Sequence, residues 1–95
     1  MEIIITQTAK TEFDNILKDS EHKNIRILTK RESIYENARL DFELDEKKQD
    51  DLLYNVDGYN IIMNVKLAAQ LYNLTISYGG LLSRGKFCIE TDFGM

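Results

Sequence analysis

Apolar side chains fall along this chain in two rhythms, one returning every second position and one every third or fourth. Residues 2–5 are short, apolar and β-branched, which predicts a strand. Thr6 follows as a helix cap whose hydroxyl can accept an N–H from the first turn. Ala9, Phe13, Ile16 and Leu17 then share one helical face, while Lys10, Glu12, Asp14 and Lys18 fall outside it. The polar stretch at 20–24 breaks that pattern, and residues 25–30 return to β-rich sequence. Residues 32–37 carry no period and read as a loop.

The clearest rhythm comes next. Ala38, Leu40, Phe42 and Leu44 alternate with Arg39, Asp41, Glu43 and Asp45, which predicts a half-buried strand with a charged, solvated outer face. Residues 45–51 read as a solvated loop. Leu52, Tyr54 and Val56 alternate again, Asp57-Gly58 supplies two residues that tolerate positive φ, and 59–63 complete a hairpin. Asn64 predicts the cap of a second helix with Leu67, Ala68, Leu71 and Tyr72 on one face. Leu74, Ile76 and Tyr78 alternate as a strand, Gly79-Gly80 open a turn, 86–90 form a last strand, and 91–95 read as a tail. Two helices among clustered strands are too few for a doubly wound parallel sheet. The order predicts an α+β fold, or a mainly β domain carrying helices, as one domain over residues 1–95.

Charge and composition narrow the function classes. The net charge of -4 gives no basic face for phosphates, so nucleic acid is not an expected partner. No window approaches the ~20 apolar residues that span a bilayer, and no membrane association is expected. The start Met1-Glu2-Ile3 lacks a basic, then apolar, leader, and the single cysteine cannot close an internal disulfide. Both point to the cytoplasm; Asn73-Leu74-Thr75, formally a glycosylation sequon, is then chance.

Candidate chemistry is sparse. The acids of 45–51 lack the glycine of a calcium loop, and Lys47 and Lys48 sit among the would-be ligands. Gly80-Leu81-Leu82-Ser83-Arg84-Gly85-Lys86 has the spacing of a phosphate loop, but Phe87 stands where a Ser or Thr would bind magnesium. The sequence after it reads as strand, not helix. Asp92-Phe93-Gly94 matches a kinase triplet without any other kinase element. His22 lies in a polar turn with no ligand partner at metal spacing, and reads as a solvated residue rather than a base. The alternating acids of 39–45 are explained by a solvent face, and the five tyrosines by sheet surfaces or an interface. Cys88 is the one candidate metal ligand. With Phe87 and Ile89 turned to the core it faces away beside Lys86 and Glu90, where the lysine would favour a thiolate, but no histidine stands by to activate it. No catalytic residue is expected, and no cofactor-binding residue can be assigned.

Several local phrases, in order, resemble the HesB/IscA-type domain of the A-type carriers of iron–sulfur cluster biogenesis. They are Ile4-Ile5-Thr6 before the first helix, Ile25-Arg26-Ile27, the run from Ala38 to Glu46, and Val56-Asp57-Gly58 with Ile61-Ile62. Leu74 to Tyr78 and Gly85-Lys86-Phe87 complete the series. The resemblance covers residues 3–89 and implies a compact, mainly β fold with two mixed β-sheets in a sandwich-like core, plus two short helices. It also implies a cluster held by one cysteine in the loop before the Ala38 strand and by a C-terminal Cys-Gly-Cys. Here that loop position falls at or near Ile34, and residues up to Met95 contain no Cys-Gly-Cys. Cys88 aligns within the last strand and does not replace them. Iron–sulfur clusters typically take four thiolates, so no ligand carries over and no cofactor is expected.

Three functions follow. The first is a non-catalytic member of this type without cluster ligands, a binding or scaffold module for a protein partner or for itself. The second is a carrier of iron or an iron–sulfur cluster that pools Cys88 across a dimer, with His22 or an outside thiol. The third is a small-ligand binder or enzyme with a pocket that no motif reveals.

Overall fold

The computed structural model describes residues 1–31, 39–79 and 85–91. The expectations for the loop at 32–37 with Ile34 and Tyr35, for Ala38, for the glycine-rich stretch at 80–84 and for residues 92–95 lie outside these.

Strand β1 (Glu2–Ile5) leads into helix α1 (Gln7–Leu17) through Thr6, whose Oγ1 accepts from the Ala9 N–H at 3.3 Å. This satisfies one of the orphan donors of the first turn, as the cap predicts. Strands β2 (Asn24–Lys30) and β3 (Arg39–Asp45) are antiparallel, with Ile25 opposite Leu44 and Ile27 opposite Phe42. Strands β4 (Asp51–Val56) and β5 (Tyr59–Asn64) form the predicted hairpin. Asp57 at φ 52 and Gly58 at φ 89 make its turn, both in the left-handed region that this tight loop demands. After α2 (Val65–Ala68), β6 (Asn73–Tyr78) runs parallel to β1, and β7 (Phe87–Glu90) returns antiparallel to β6.

Two mixed sheets result, β1-β6-β7 and β3-β2-β5-β4. Their inner faces and α1 close over one core in which Phe13, Ile25, Ile27, Ile61, Met63, Leu74 and Ile76 are fully buried. Each such side chain contributes about 1.5–3 kcal/mol relative to exposure. The period of two decides which residues enter: Ile25 and Ile27 are inside, so Arg26 between them is on the outer face. Where the sheets' edges meet, β3 lies against β7 and β1 against β4.

The second helix is shorter than its sequence suggests. Asn64 caps it as predicted, accepting from the Lys66 N–H at 2.8 Å, but it is a single turn. Beyond it, the N–H groups of Gln70 and Leu71 bond three residues back, to Leu67 and Ala68, which tightens and ends the coil. Leu71 is buried and Tyr72 is 67% exposed, so the predicted Leu67–Tyr72 face does not form. Pairing of Asn73 with Glu2 requires extended chain there, and tertiary pairing overrides helical spacing.

The segment 45–51 also departs from a plain solvated loop. Asp51 is buried, and Asp41 and Asp45 on the expected solvent face of β3 are ion-paired, Asp41 to Lys30 at 3.7 Å. The cause is two cations of β2 on the same outer face, Arg26 for Asp45 and Asp51 and Lys30 for Asp41.

Candidate functional site

The seam between β3 and β7 holds the only cysteine of the sequence. Phe87 is its pivot: the ring stacks on Phe13 at 4.7 Å, meets the Phe42 edge at 4.7 Å and touches Tyr78 at 4.8 Å. Aromatic pairs at such spacings add roughly 0.5–1.5 kcal/mol beyond burial, which anchors β7 to α1 and β3. Beside this aromatic floor is a cleft of about 560 Å³ lined by residues 39–42 and 86–89.

Cys88 lines this cleft and is half-buried. As the alternation predicts, Phe87 and Ile89 pack on the core, and Cys88 shares its side of β7 with Glu90. Its S–H donates to Glu90 Oε1 at 3.6 Å, so a polar partner of the sulfur is a carboxylate. His22 is exposed, its backbone N–H donating to Ser20 Oγ at 3.1 Å. It precedes Asn24, which pairs with Asp45, whereas Cys88 lies with the Arg39–Phe42 end of β3. At about 3.3 Å per residue these ends are roughly 20 Å apart, so one chain does not unite the two residues. Among the described residues no group of three or more His, Cys, Asp or Glu side chains could hold a metal ion.

Of the phosphate-loop spacing, the described part is Gly85, at φ 79, and an exposed Lys86 that leads directly into β7. No helix begins there, so no helix N-terminus faces that lysine.

The outer face of the larger sheet carries an ionic cluster that sequence reasoning missed. Arg26 donates from Nη1 to Asp51 Oδ1 at 2.7 Å and from Nη2 to Asp51 Oδ2 at 2.6 Å. Its Nε donates to Asp45 Oδ2 at 2.9 Å and Nη2 also to the Glu46 carbonyl at 3.1 Å. The Lys48 N–H donates to Asp51 Oδ2 at 2.7 Å. These bonds push the Arg26 pKa up, chiefly through the Asp51 hydrogen bond. They push Asp51 down to about 2, chiefly through the bond from Arg26 and despite the opposing cost of burial. Asp45 is lowered first by the Glu46 N–H and then by Arg26. Every prong of the guanidinium is committed to the chain between β3 and β4, so the cluster ties a connection rather than presenting a charge to a ligand. The sequence did hold one signal: an arginine between two buried isoleucines must sit on an outer sheet face.

On the other side of the core, Tyr59 donates from its hydroxyl to Asp14 Oδ1 at 2.6 Å and lies 3.2 Å from the Lys10 carbonyl. The hydrogen bond to Asp14, then burial, push its phenol up to about 12. Lys10 Nζ pairs with Asp57 Oδ2 at 2.9 Å, so α1 is pinned to the hairpin turn by two polar contacts.

A three-stranded and a four-stranded mixed sheet in these orders, closed by one long and one very short helix, define the HesB/IscA-type fold. The structure is similar to a crystal structure of IscA with the [2Fe-2S] cluster, at TM-score 0.73 and 25% identity, over 94% of this chain and 84% of that one. It is similar also to Escherichia coli SufA, described as involved in biosynthesis of iron–sulfur clusters. There the TM-score is 0.73 at 14% identity, over 96% of this chain and 86% of that one. No protein-family model and no curated protein matches the sequence. No helix among the described residues is long and apolar enough to cross a membrane.

Proposed function

We propose that residues 1–95 form a single HesB/IscA-like module of the iron–sulfur cluster assembly type that binds or organises protein, in the cytoplasm, without holding a cluster and without catalysis. One observation carries this reading: the fold of a cluster-bearing protein is kept, while its sequence supplies one thiol whose partner is the Glu90 carboxylate. Four soft thiolates are the usual requirement for an iron–sulfur cluster, and a carboxylate beside the sulfur adds a hard donor instead. The position where the resemblance puts the loop cysteine, at or near Ile34, offers an apolar side chain.

A second reading is favoured by the placement of Cys88 in the seam cleft rather than in the core. Two copies meeting at this seam would pool two thiols, and an outside thiol could complete a ligand set for iron or a cluster as cargo.

Anaerobic reconstitution with iron and sulfide separates the two. The module reading expects a colourless protein without stoichiometric iron. Charge-transfer absorbance that disappears in Cys88→Ser would establish the carrier and overturn the module.

A further inference from the structure

We infer, on the reading of this chain as a protein-binding module, that a notch beside the end of β2 takes an acidic, extended segment of a partner protein as an added strand.

The larger sheet is forked. Strand β2 pairs with β3 along its whole length, from Asn24 opposite Asp45 to Lys30 opposite Arg39. Its parallel pairing with β5 stops early, at Arg26 opposite Ile62. From there β5 stays with β4, Met63 opposite Leu52 and Asn64 opposite Asp51. The Val65 N–H then bonds to the Asp50 carbonyl at 2.9 Å, which holds the start of α2 toward β4 and away from β2. Arg26, through its bonds to Asp51, ties the two branches together at the base of the fork.

Beyond Arg26, β2 is therefore paired on its β3 side only among the described strands. In such a strand every second residue turns its N–H and C=O away from the neighbour, here into the fork. An extended chain laid beside 27–30 would meet those groups as a further strand of the ladder. The notch holds about 360 Å³, with residues 26–29 as one wall and Asn64, Lys66, Leu67 and Gln70 as the other. That is within the ~300–1,000 Å³ of ligand-binding clefts. The second wall is set before anything binds. Asn64 Oδ1 accepts from the Lys66 N–H at 2.8 Å, and Gln70 Nε2 donates to the Lys66 carbonyl at 3.3 Å. A wall already ordered loses little freedom on binding.

Charge selects the occupant. In a chain with sixteen acids against twelve bases, the notch is lined by two cations and no acid. Arg26 is committed to Asp45 and Asp51. Lys66 is exposed and makes no ion pair among the described residues, and the same holds for Arg31, which directly follows β2. Lysine at an open edge deters apolar strands, but it pairs with an acidic one. Leu28 and Leu67, both half-buried, add apolar contact. The segment that fits alternates acidic and apolar residues.

Titration of the isotope-labelled full chain with a blocked octapeptide of alternating Glu and Val, followed by amide chemical shifts, tests this. Saturable shifts are expected at residues 27–30 and 64–70. Lys66→Glu should weaken binding about tenfold or more, while Lys66→Arg keeps it. An octapeptide of alternating Lys and Val should not bind. Lys66 is exposed, so its exchange spares the core, and Arg31→Glu serves as a second variant that should also weaken binding. Absence of saturable shifts, shifts centred on the β3–β7 seam, or equal binding of the lysine peptide overturns the inference. So does free glutamate that reproduces the shifts, since the notch is then a small-anion pocket. The iron reconstitution stays a separate test. A colourless protein that ignores the peptide keeps the module and loses the notch, and an iron-bearing one that takes the peptide there does the reverse.

Discussion

Arg26 and Asp51, 25 positions apart in sequence, face one another as a two-pronged pair with bonds of 2.7 Å and 2.6 Å. The Asp51 side chain is 2% exposed and that of Arg26 12%, so neither partner can fall back on water when the other is lost. Replacing Asp51 by Asn should destabilise the fold by about 3 kcal/mol, because removing one member leaves a buried charge uncompensated. Asp45→Asn should cost less, since Asp45 is the more exposed partner. Urea unfolding checks both, and near-wild-type stability of Asp51→Asn would show the pair to be dispensable.

The same contact sets the acid limit. Asp51 titrates at about 2 when folded against a usual 3.8, so the unfolded chain binds the proton first as pH falls. The stabilisation is complete above the unfolded value and is lost on descending through the folded one. Denaturation midpoints should drop between pH 4 and pH 2, with a shallower slope in Asp51→Asn. Equal slopes in the two proteins would remove Asp51 from the account.

At alkaline pH the sign reverses. Tyr59 is raised from 10.0 to about 12 by its bond to the Asp14 carboxylate, so its contribution is full below 10 and fades toward 12. Stability should fall over that window, and Tyr59→Phe should fall less steeply while starting about 1 kcal/mol lower. Unfolding midpoints measured at rising pH decide it.

Phe13 touches Phe42, Phe87 and Tyr59 and is fully buried, so it joins α1 to both sheets. Phe13→Ala should cost about 3–5 kcal/mol and Phe13→Leu distinctly less, since the cavity is then partly filled. A thermal unfolding series gives the order.

Gly58 has open space where a Cβ would sit, so any penalty for Gly58→Ala is a backbone penalty at φ 89. A loss of about 1 kcal/mol is expected. No loss at all would mean that the hairpin turn adapts.

Alternation made β3, the β4–β5 hairpin and β6 legible, because a strand with one wet face must repeat every two residues. Thr6 and Asn64 were legible as caps for an equally local reason. The length of α2 was not, since Leu71 and Tyr72 keep helical spacing while Asn73 is claimed by a strand distant in sequence. At the candidate site, the orientation of Cys88 followed from the same alternation. Alternation set both Lys86 and Glu90 beside it, but not that the S–H would bond to the Glu90 carboxylate.

The order of strands and helices, the inward and outward faces of each strand, the caps and the supply of a single thiol were fixed by local pattern, for each depends on residues a few positions apart. Which edges meet, that Arg26 would find Asp51 and Asp45, and that His22 and Cys88 would part were decided by the packing of two sheets. Those relations join positions far apart in the chain, and only closure over a common core determines them.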